Sequence, residues 1–181
     1  MEEQSLETLR AFMNSHHNEG IDDFFESPAV ATRQLADIGL TTSRRHLTQQ
    51  EAVLLRRVRD ALNGLIAGSY VAEDVDFDQV AQELPLRLRL DSEGLRTELD
   101  GVAAGVPGIA ARMLGLAHDA MSDGTWDRLT TCANKDDCSR VFLDRSKNHS
   151  RVWCDMATCG AQAKSRAFRE REREKRQTRS G

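Results

Sequence analysis

The chain has 181 residues, of which 39% are hydrophobic, 30% charged and only 5% aromatic. This composition suits one ordinary domain, or one domain with a small added module, built around an aliphatic core. No run approaches the roughly 18 apolar residues of a membrane span, and the amino terminus is acidic where a secretory signal is basic. We therefore expect a cytoplasmic protein with no membrane partner.

The net charge of −4 is unevenly distributed along the chain. Residues 1–125 carry 11 Lys and Arg against 21 Asp and Glu, a net charge of −10, and residues 126–181 carry 14 against 8, a net charge of +6. Such asymmetry is typical of a chain whose basic end meets a polyanion, because Lys and Arg displace counterions from phosphates. From charge alone, a solvated charged tail is the simpler interpretation.

The acidic part begins with two predicted helices. The first covers residues 5–14, and its apolar side chains recur at helical spacing. These side chains are Leu6, Leu9, Phe12 and Met13. The second helix begins at Ser27 with Pro28 at its first helical position, and Gly39 ends it.

A third helix is indicated by a capping box. Thr48 and Glu51 lie three residues apart, the spacing at which their side chains and backbone N–H groups satisfy one another. The helix ends near Gly68. Its predicted apolar stripe consists of Val53, Leu54, Val58, Leu62, Leu65 and Ile66.

The remainder of this part predicts a short helix, a hairpin and a last helix. The short helix covers residues 78–84 and stops at Pro85. Alternating leucines in residues 86–90 and again in 95–99 predict an antiparallel hairpin. Pro107 opens the last helix, which ends at Gly124. Its predicted core residues are Ile109, Met113, Leu114, Ala117 and Met121.

No catalytic constellation is recognisable in residues 1–125. His16 and His17 are adjacent, so in a helix they diverge by about 100° and do not share a metal. The acidic stretch 73–78 lacks the glycine and the closing glutamate of a calcium loop. We therefore expect a protein that is not an enzyme.

All four cysteines lie in the basic part, as Cys132, Cys138, Cys154 and Cys159. Five residues separate the first two, four separate the last two, and 15 lie between the pairs. In a reducing compartment such pairs are more often metal ligands than disulfides, and four thiolates meet the tetrahedral preference of zinc. We predict one zinc ion held by the four cysteines, with two disulfides or inert buried thiols as alternatives.

The segment between the cysteine pairs predicts a second hairpin. The side chains of residues 141–143 alternate as in a strand, and residues 144–151 form a turn-rich loop. Val152 and Trp153 are the predicted return strand. After the last cysteine, Gly160 permits a tight entry into a helix over residues 161–176. The predicted fold is thus α+β: a mainly helical domain with a small antiparallel hairpin, then a treble-clef-like zinc module that ends in a basic helix. About 50 residues bury too little surface unaided, so metal binding should supply much of the module's folding energy.

The basic helix places arginines at steps of three and four, along one face that Lys164 or Arg171 joins at its edge. We expect Phe168 and Ala161 to face Trp153 and the zinc site instead. The candidate DNA contacts in the loop and helix are Arg145, Lys147, Arg151, Lys164, Arg166, Arg169, Arg173 and Arg176. The alternative is a solvated helix in which Glu170, Glu172 and Glu174 pair with the arginines.

Residues 124–173 resemble the CGNR zinc finger. The features that carry this resemblance are Trp126, Arg128, the four cysteines, Phe142, the "DRSKN" loop, Trp153 and the segment 164–166. Through "FMNSHHNEGIDDFFESP" and "LADIGL", the preceding part is similar to the ABATE domain. The resemblance implies a bacterial, stress-induced transcriptional regulator with zinc on the four cysteines and DNA on the surrounding basic surface.

The chain departs from the family's pattern at two places. Cys159-Gly160-Ala161-Gln162 stands where the family has Cys-Gly-Asn-Arg, so an amide replaces an arginine at the start of the helix. If that arginine contacts a phosphate or a base in relatives, the affinity or site preference of this chain should differ. "FMNS" also differs from the family's Asp-Phe-x-Asn-Thr opening.

The function expected from the sequence is that of a zinc-containing, DNA-binding transcriptional regulator located at the nucleoid. Residues 1–125 would be a sensor or dimerisation domain and residues 126–181 the zinc finger, with DNA, a homodimer partner and a small-molecule effector as partners. The alternative is a zinc–thiolate redox sensor or a regulatory protein that acts through a protein partner.

Overall fold

The computed structural model describes residues 3–15, 23–41, 45–68, 87–91, 94–98, 105–135 and 137–178. The helices and strands, in chain order, are α1 (Glu3–Met13), α2 (Pro28–Asp37), α3 (Gln49–Ala67), β1 (Arg87–Asp91), β2 (Gly94–Glu98), α4 (Val106–Ser122), β3 (Leu129–Thr131), β4 (Val141–Leu143) and α5 (Ala161–Thr178). In this part of the chain the strands form two separate two-stranded sheets. The α+β prediction, with a mainly helical body and a terminal helix, is confirmed.

The predicted helix boundaries are confirmed where a proline, a glycine or a capping box marks them in the sequence. The four apolar side chains expected to be buried in α1 are all buried. Pro28 opens α2, and the chain turns after it at Gly39, whose φ is 74°. At the start of α3, the Glu51 N–H donates to Thr48 Oγ1 at 3.2 Å and the Thr48 N–H donates to Glu51 Oε2 at 2.7 Å. The capping box therefore forms as predicted.

The predicted core face of α3 is wrong in part. Val53 is 45% exposed and Leu65 is 38% exposed. The buried residues of α3 are Ala52, Leu55, Val58, Arg59, Ala61 and Leu62. Arg59 shifts this face, because its guanidinium donates to both carboxylate oxygens of Asp23 at 2.6 and 2.7 Å and lies 5.2 Å from the ring centre of Phe25. The predicted face was chosen from apolar residues alone, so it did not include the buried Arg59.

The later elements of the body agree with the sequence at most positions. β1 and β2 pair antiparallel with Leu90 opposite Leu95, as the alternating leucines predict. Four of the five core residues predicted for α4 are buried, whereas Met121, one residue before the helix ends, is 45% exposed. The predicted helix over 78–84, the adjacent histidines and the acidic stretch 73–78 lie outside the described residues.

The hydrophobic core is continuous across the predicted domain boundary. Leu129 of β3 and Val141 and Leu143 of β4 belong to the same buried cluster as the apolar faces of α1, α3 and α4. α1 lies against β4, and α3 lies against β3. The division into residues 1–125 and 126–181 stays a prediction, and the packing shows that the two parts share one core.

Asn14 joins the end of α1 to the finger. Its Nδ2 donates to the Val141 carbonyl, and its Oδ1 accepts from the Val141 N–H, both at 2.8 Å. The side chain of Val141 is fully buried. The amide of Asn14 thus takes the place of a neighbouring strand along the edge of β4 that does not pair with β3.

We expect Asn14→Ala to lower the free energy of unfolding by about 2 kcal/mol or more, since it leaves the Val141 N–H and carbonyl without partners inside the protein. Urea unfolding of the full chain measures this change. Thr8→Ala is the matched control, because it removes an exposed hydrogen bond within the same helix, from Thr8 Oγ1 to the Gln4 carbonyl. An unchanged midpoint for Asn14→Ala would show that this contact contributes nothing.

Candidate zinc centre and basic helix

The structure brings the four cysteine sulfurs together within 4.8 Å of one another. Cys154 Sγ lies 3.7 Å from Cys138 Sγ and 3.6 Å from Cys159 Sγ. A tetrahedron with Zn–S bonds of about 2.3 Å has S···S edges of about 3.8 Å, so the observed distances fit one zinc ion. They are far longer than a disulfide bond, and all four thiols are free. The predicted zinc site is confirmed, and the disulfide alternative is not supported.

Two tight turns position the cysteines. In the first turn, the N–H groups of Asp137 and Cys138 both donate to the Asn134 carbonyl, at 3.1 and 2.7 Å. In the second, Asp155 Oδ1 accepts from the N–H of Thr158 at 2.7 Å and from its hydroxyl at 2.9 Å. A single π-helical turn, Met156–Gly160, then leads directly into α5. The metal site and the start of α5 are therefore one rigid unit.

Gly160 lies in close contact with two side chains at the start of α5. A Cβ atom added there would lie 2.3 Å from Met156 Sδ and 3.2 Å from Trp153 Cδ1. The thioether of Met156 is flexible and exposed, but the indole of Trp153 packs against the turn. A larger residue would displace the thioether of Met156 and require Trp153 to move by a few tenths of an ångström, so glycine gives the tightest fit at this position.

Electrostatics at the site favour a bound cation. Burial disfavours ionisation of Cys132, but the N–H groups of Cys154 and Asn134 point at its sulfur and lower the pKa of this thiol. Burial raises the pKa of Cys154, and hydrogen bonding among the crowded thiols raises it further. Burial also raises the pKa of Cys138. Four thiolates are thus disfavoured on their own, and a doubly charged metal ion supplies the missing compensation.

In the second hairpin, β4 pairs with a different strand from the one predicted. β4 pairs with β3, with Thr131 opposite Val141 and Leu129 opposite Leu143, so residues 152–153 are not its return strand. Consequently the loop of this hairpin carries the first cysteine pair. All three residues of β4 are buried, because one face packs on the helices and Arg151 covers the other at Phe142. The alternating pattern of residues 141–143 predicted a strand with one exposed face, but both faces of β4 are covered.

The loop after β4 is closed by a buried carboxylate. Asp144 is 2% exposed, and its carboxylate accepts from the N–H groups of Ser146 at 2.7 Å and Arg151 at 2.9 Å. The guanidinium of Arg151 donates to the carbonyls of Trp153 and Cys154 and lies 5.1 Å from the ring centre of Phe142. Arg151, a predicted DNA contact, thus holds the finger together.

Arg145, another predicted DNA contact, is engaged by the acidic body. Its guanidinium forms ion pairs with Glu3 and Glu7 of α1. Lys147, two residues further along the same loop, is exposed. The loop cations therefore divide into Lys147, which faces solvent, and two arginines with partners inside the protein.

Two side-chain contacts fasten α5 to the first turn of the zinc site. Asn134, which is 2% exposed, donates from Nδ2 to Gln162 Oε1 at 2.9 Å. Arg166 donates to Asp137 Oδ2 at 2.8 Å. Gln162, which replaces the arginine of the family's motif, therefore has a defined partner. The sequence analysis missed Asn134, because nothing in its neighbourhood marks it as a buried amide.

The charged residues of α5 form two stripes and not one. At about 100° per residue, the arginine stripe lies at least about 120° around the helix from Lys164 and Arg171. We define the arginine stripe as Arg166, Arg169, Arg173 and Arg176, and the mixed stripe as Lys164, Phe168, Arg171 and Lys175. The prediction that Lys164 or Arg171 joins the edge of the arginine face is wrong. The packing predicted for Phe168 is also wrong, since this side chain is 59% exposed.

For Glu172, pairing with Lys175 replaces the expected pairing with the arginine stripe. Glu172 Oε1 accepts from Lys175 Nζ at 3.0 Å, so its ion pair joins it to the mixed stripe. Both side chains are largely exposed. An exposed pair of this kind contributes about 0.3–0.5 kcal/mol and does not by itself account for an 18-residue helix.

Four thiols whose sulfurs lie within 4.8 Å of one another, with the second pair opening into a helix, are the arrangement of a zinc finger. Residues 128–172 match the sequence model of the CGNR zinc finger. The matched segment contains all four cysteines, so the resemblance is confirmed for this part of the chain, and the similarity of residues 1–125 to the ABATE domain stays a prediction. The comparison with curated proteins returned no match. Among the described helices, none has both the length and the apolar character needed to cross a membrane.

Proposed function

We propose that the protein is a DNA-binding transcriptional regulator whose zinc finger presents α5 to the phosphates of DNA. One observation carries this proposal: α5 is fixed to the zinc site at its first turns, yet no side chain of residues 161–177 is buried. A helix without a buried face gains little from packing inside its own chain. Its rigid start and exposed cations suit a polyanionic partner.

The charge distribution supports contact through the finger alone. The acidic part of the chain repels phosphates, and it already holds Arg145 through Glu3 and Glu7. Besides Arg145 and Arg151, the exposed cations of the loop after β4 and of α5 are Lys147, Lys164, Arg169, Arg171, Arg173, Lys175 and Arg176. The arginines exposed on the body, such as Arg33 and Arg112, belong to the part of the chain whose net charge is negative, so DNA would approach through the finger.

The same proposal assigns the protein a regulatory and not a catalytic role. Residues 1–125 would act as the sensing or dimerising part, since many regulators read paired half-sites. A small-molecule effector, a stress response and a place at the nucleoid follow from the resemblance noted in the sequence. They stand as proposals beside the DNA-binding activity.

Binding to genomic DNA should weaken steeply with salt. If about four side chains of one chain neutralise phosphates, log affinity should fall against log salt with a slope of roughly −3.6. Arg173→Ala should reduce that slope by about 0.9, and Arg33→Ala, on α2 of the acidic part, should leave it unchanged. Fluorescence anisotropy titrations at several salt concentrations measure both effects.

The same titration can also contradict the proposal. Zinc-loaded protein that shows no affinity for genomic DNA even at low salt would reject the DNA-binding proposal. Addition of a chelator should abolish binding, since α5 is held by the zinc site. Binding that survives complete removal of zinc would show that the finger does not present the helix.

A redox-sensing role is the second candidate, and the exposure of the thiols favours it. Cys138 and Cys154 are partly exposed, whereas Cys132 and Cys159 are buried. A peroxide could therefore reach two of the ligands, and their oxidation would release the metal. Zinc release measured with a chromogenic chelator during peroxide treatment tests this role. Retention of zinc under peroxide concentrations that oxidise exposed thiols would reject it.

A further inference from the structure

A solvent-facing ridge runs along the first turns of α5, from Phe168 at the edge of the mixed stripe toward the arginine stripe. With Ala161 taken as 0°, Ser165 lies at about 40° and Phe168 at about −20° around the helix. All three side chains are exposed. Ala163 and Arg166, the half-buried residues at this end of α5, lie on the other side of the helix. The ridge therefore faces solvent, and at the end nearest the zinc site Ala161 and Ser165 line an open groove beside Asp137 and Thr158.

Cations flank the ridge on both sides. On one side are Lys164, Arg171 and Lys175, and on the other are Arg169, Arg173 and Arg176. A helix is about 10–12 Å across and the DNA major groove about 12 Å wide, so side chains on both flanks of a helix in this groove face phosphates. A flat anionic surface would meet only one flank. The two-sided charge therefore fits a groove with two charged walls.

The ridge has the shape of a surface that approaches base edges. Ala161 and Ser165 are small and lie next to the zinc site, so they permit close approach. Phe168 extends further, and its ring lines a surface groove with Lys164, Ser165 and Arg169. In the major groove, the main apolar group on the base edges is the C5-methyl of thymine.

We propose that α5 enters the major groove along this ridge and that Phe168 selects thymine by contact with its methyl group. This inference rests on the proposed DNA-binding function and adds a specificity-determining residue to it. We place the reading of bases at the turns nearest the zinc site, because Glu172, at about 20° and one turn beyond Phe168, is repelled by phosphates and its carboxylate is already engaged by Lys175 at 3.0 Å.

The test compares two duplexes that differ only in the methyl group. One is an alternating adenine–thymine duplex, and the other carries deoxyuridine at every thymidine position. Zinc-loaded protein should bind the thymidine duplex about fourfold more tightly for each methyl group contacted. Phe168→Ala should bind both duplexes equally and keep the salt slope of the native protein, since no charge is removed.

Val152→Ala is the matched control, because it truncates another exposed apolar side chain of the finger, 51% exposed, outside α5. It should keep the preference for thymidine. Equal binding of both duplexes by the native protein, with the usual salt dependence, would overturn the role of Phe168 and leave the proposed function standing. A preference that persists in Phe168→Ala would also overturn it. Failure to bind either duplex at low salt would overturn both.

Discussion

Cys159→Ser is expected to yield a protein without zinc, in which the second cysteine turn and α5 lose their fixed structure. Cys159 is 7% exposed and belongs to the turn that opens α5, so the variant loses a ligand and the anchor of the helix together. Structural zinc supplies an apparent 10–16 kcal/mol in small zinc-finger peptides near pH 7, on the order of the whole stability of a domain. Elemental analysis should fall from one zinc per chain to none.

The accompanying structural change is measurable by amide hydrogen exchange across α5, which should lose protection in Cys159→Ser. Cys159→His is the matched control, because imidazole can replace a thiolate as a zinc ligand and should recover part of the metal content. Zinc should also leave as the pH falls, since protons compete for the thiolates. Native protein purified without chelator that contains no metal, with four titratable thiols, would contradict the assignment.

Local signals in the sequence predicted the features that depend on few residues. Thr48 and Glu51 form their capping box because both partners lie within one helical turn. The zinc site is similar in part, since each cysteine pair lies within one short turn. In each case the sequence spacing itself brings the groups together, whereas the pairing of β3 with β4 beside the first cysteine pair was not the one predicted.

Features that depend on distant partners were not predictable in this way. Arg59 is buried only because Asp23 and Phe25 meet it, and Asn14 matters only because β4 passes beside it. The partner of β4 was missed for the same reason. Residues 129–131 and residues 152–153 both fit a strand, and the packing of Leu129 on the helices selects the former.

In α5, one feature is set by the local sequence and another by distant parts of the fold. That Lys164 lies opposite the arginine stripe follows from helical geometry alone and is visible in the sequence. That Phe168 is exposed does not follow, because an aromatic side chain near a zinc site ordinarily packs on it. Its exposure is a property of the fold, in which Trp153 already lies against the turn at Gly160. This difference is what makes Phe168 informative about a partner.

A fragment that ends at Gly124 is expected to be strongly destabilised, although it contains α1 to α4. It lacks Leu129, Val141 and Leu143, which complete the core against α1 and α3. Burial of each such side chain is worth about 1.5–3 kcal/mol, so their loss removes roughly 5 kcal/mol or more from a typical total of 5–15 kcal/mol. Asn14 also loses its partner. Urea unfolding followed by circular dichroism should show a much lower midpoint than in the full chain.

A fragment that ends at Gly160 is the control, because it keeps β3, β4 and all four cysteines but lacks α5. It should bind one zinc ion and unfold near the midpoint of the full chain, since α5 contributes no buried side chain. It should also lose affinity for DNA. The pair of fragments therefore separates the two roles of the finger: the strands complete the core of the body, and the helix meets the partner. A fragment ending at Gly124 with the stability of the full chain would show that the body is an independent domain, as the division at residue 125 predicts.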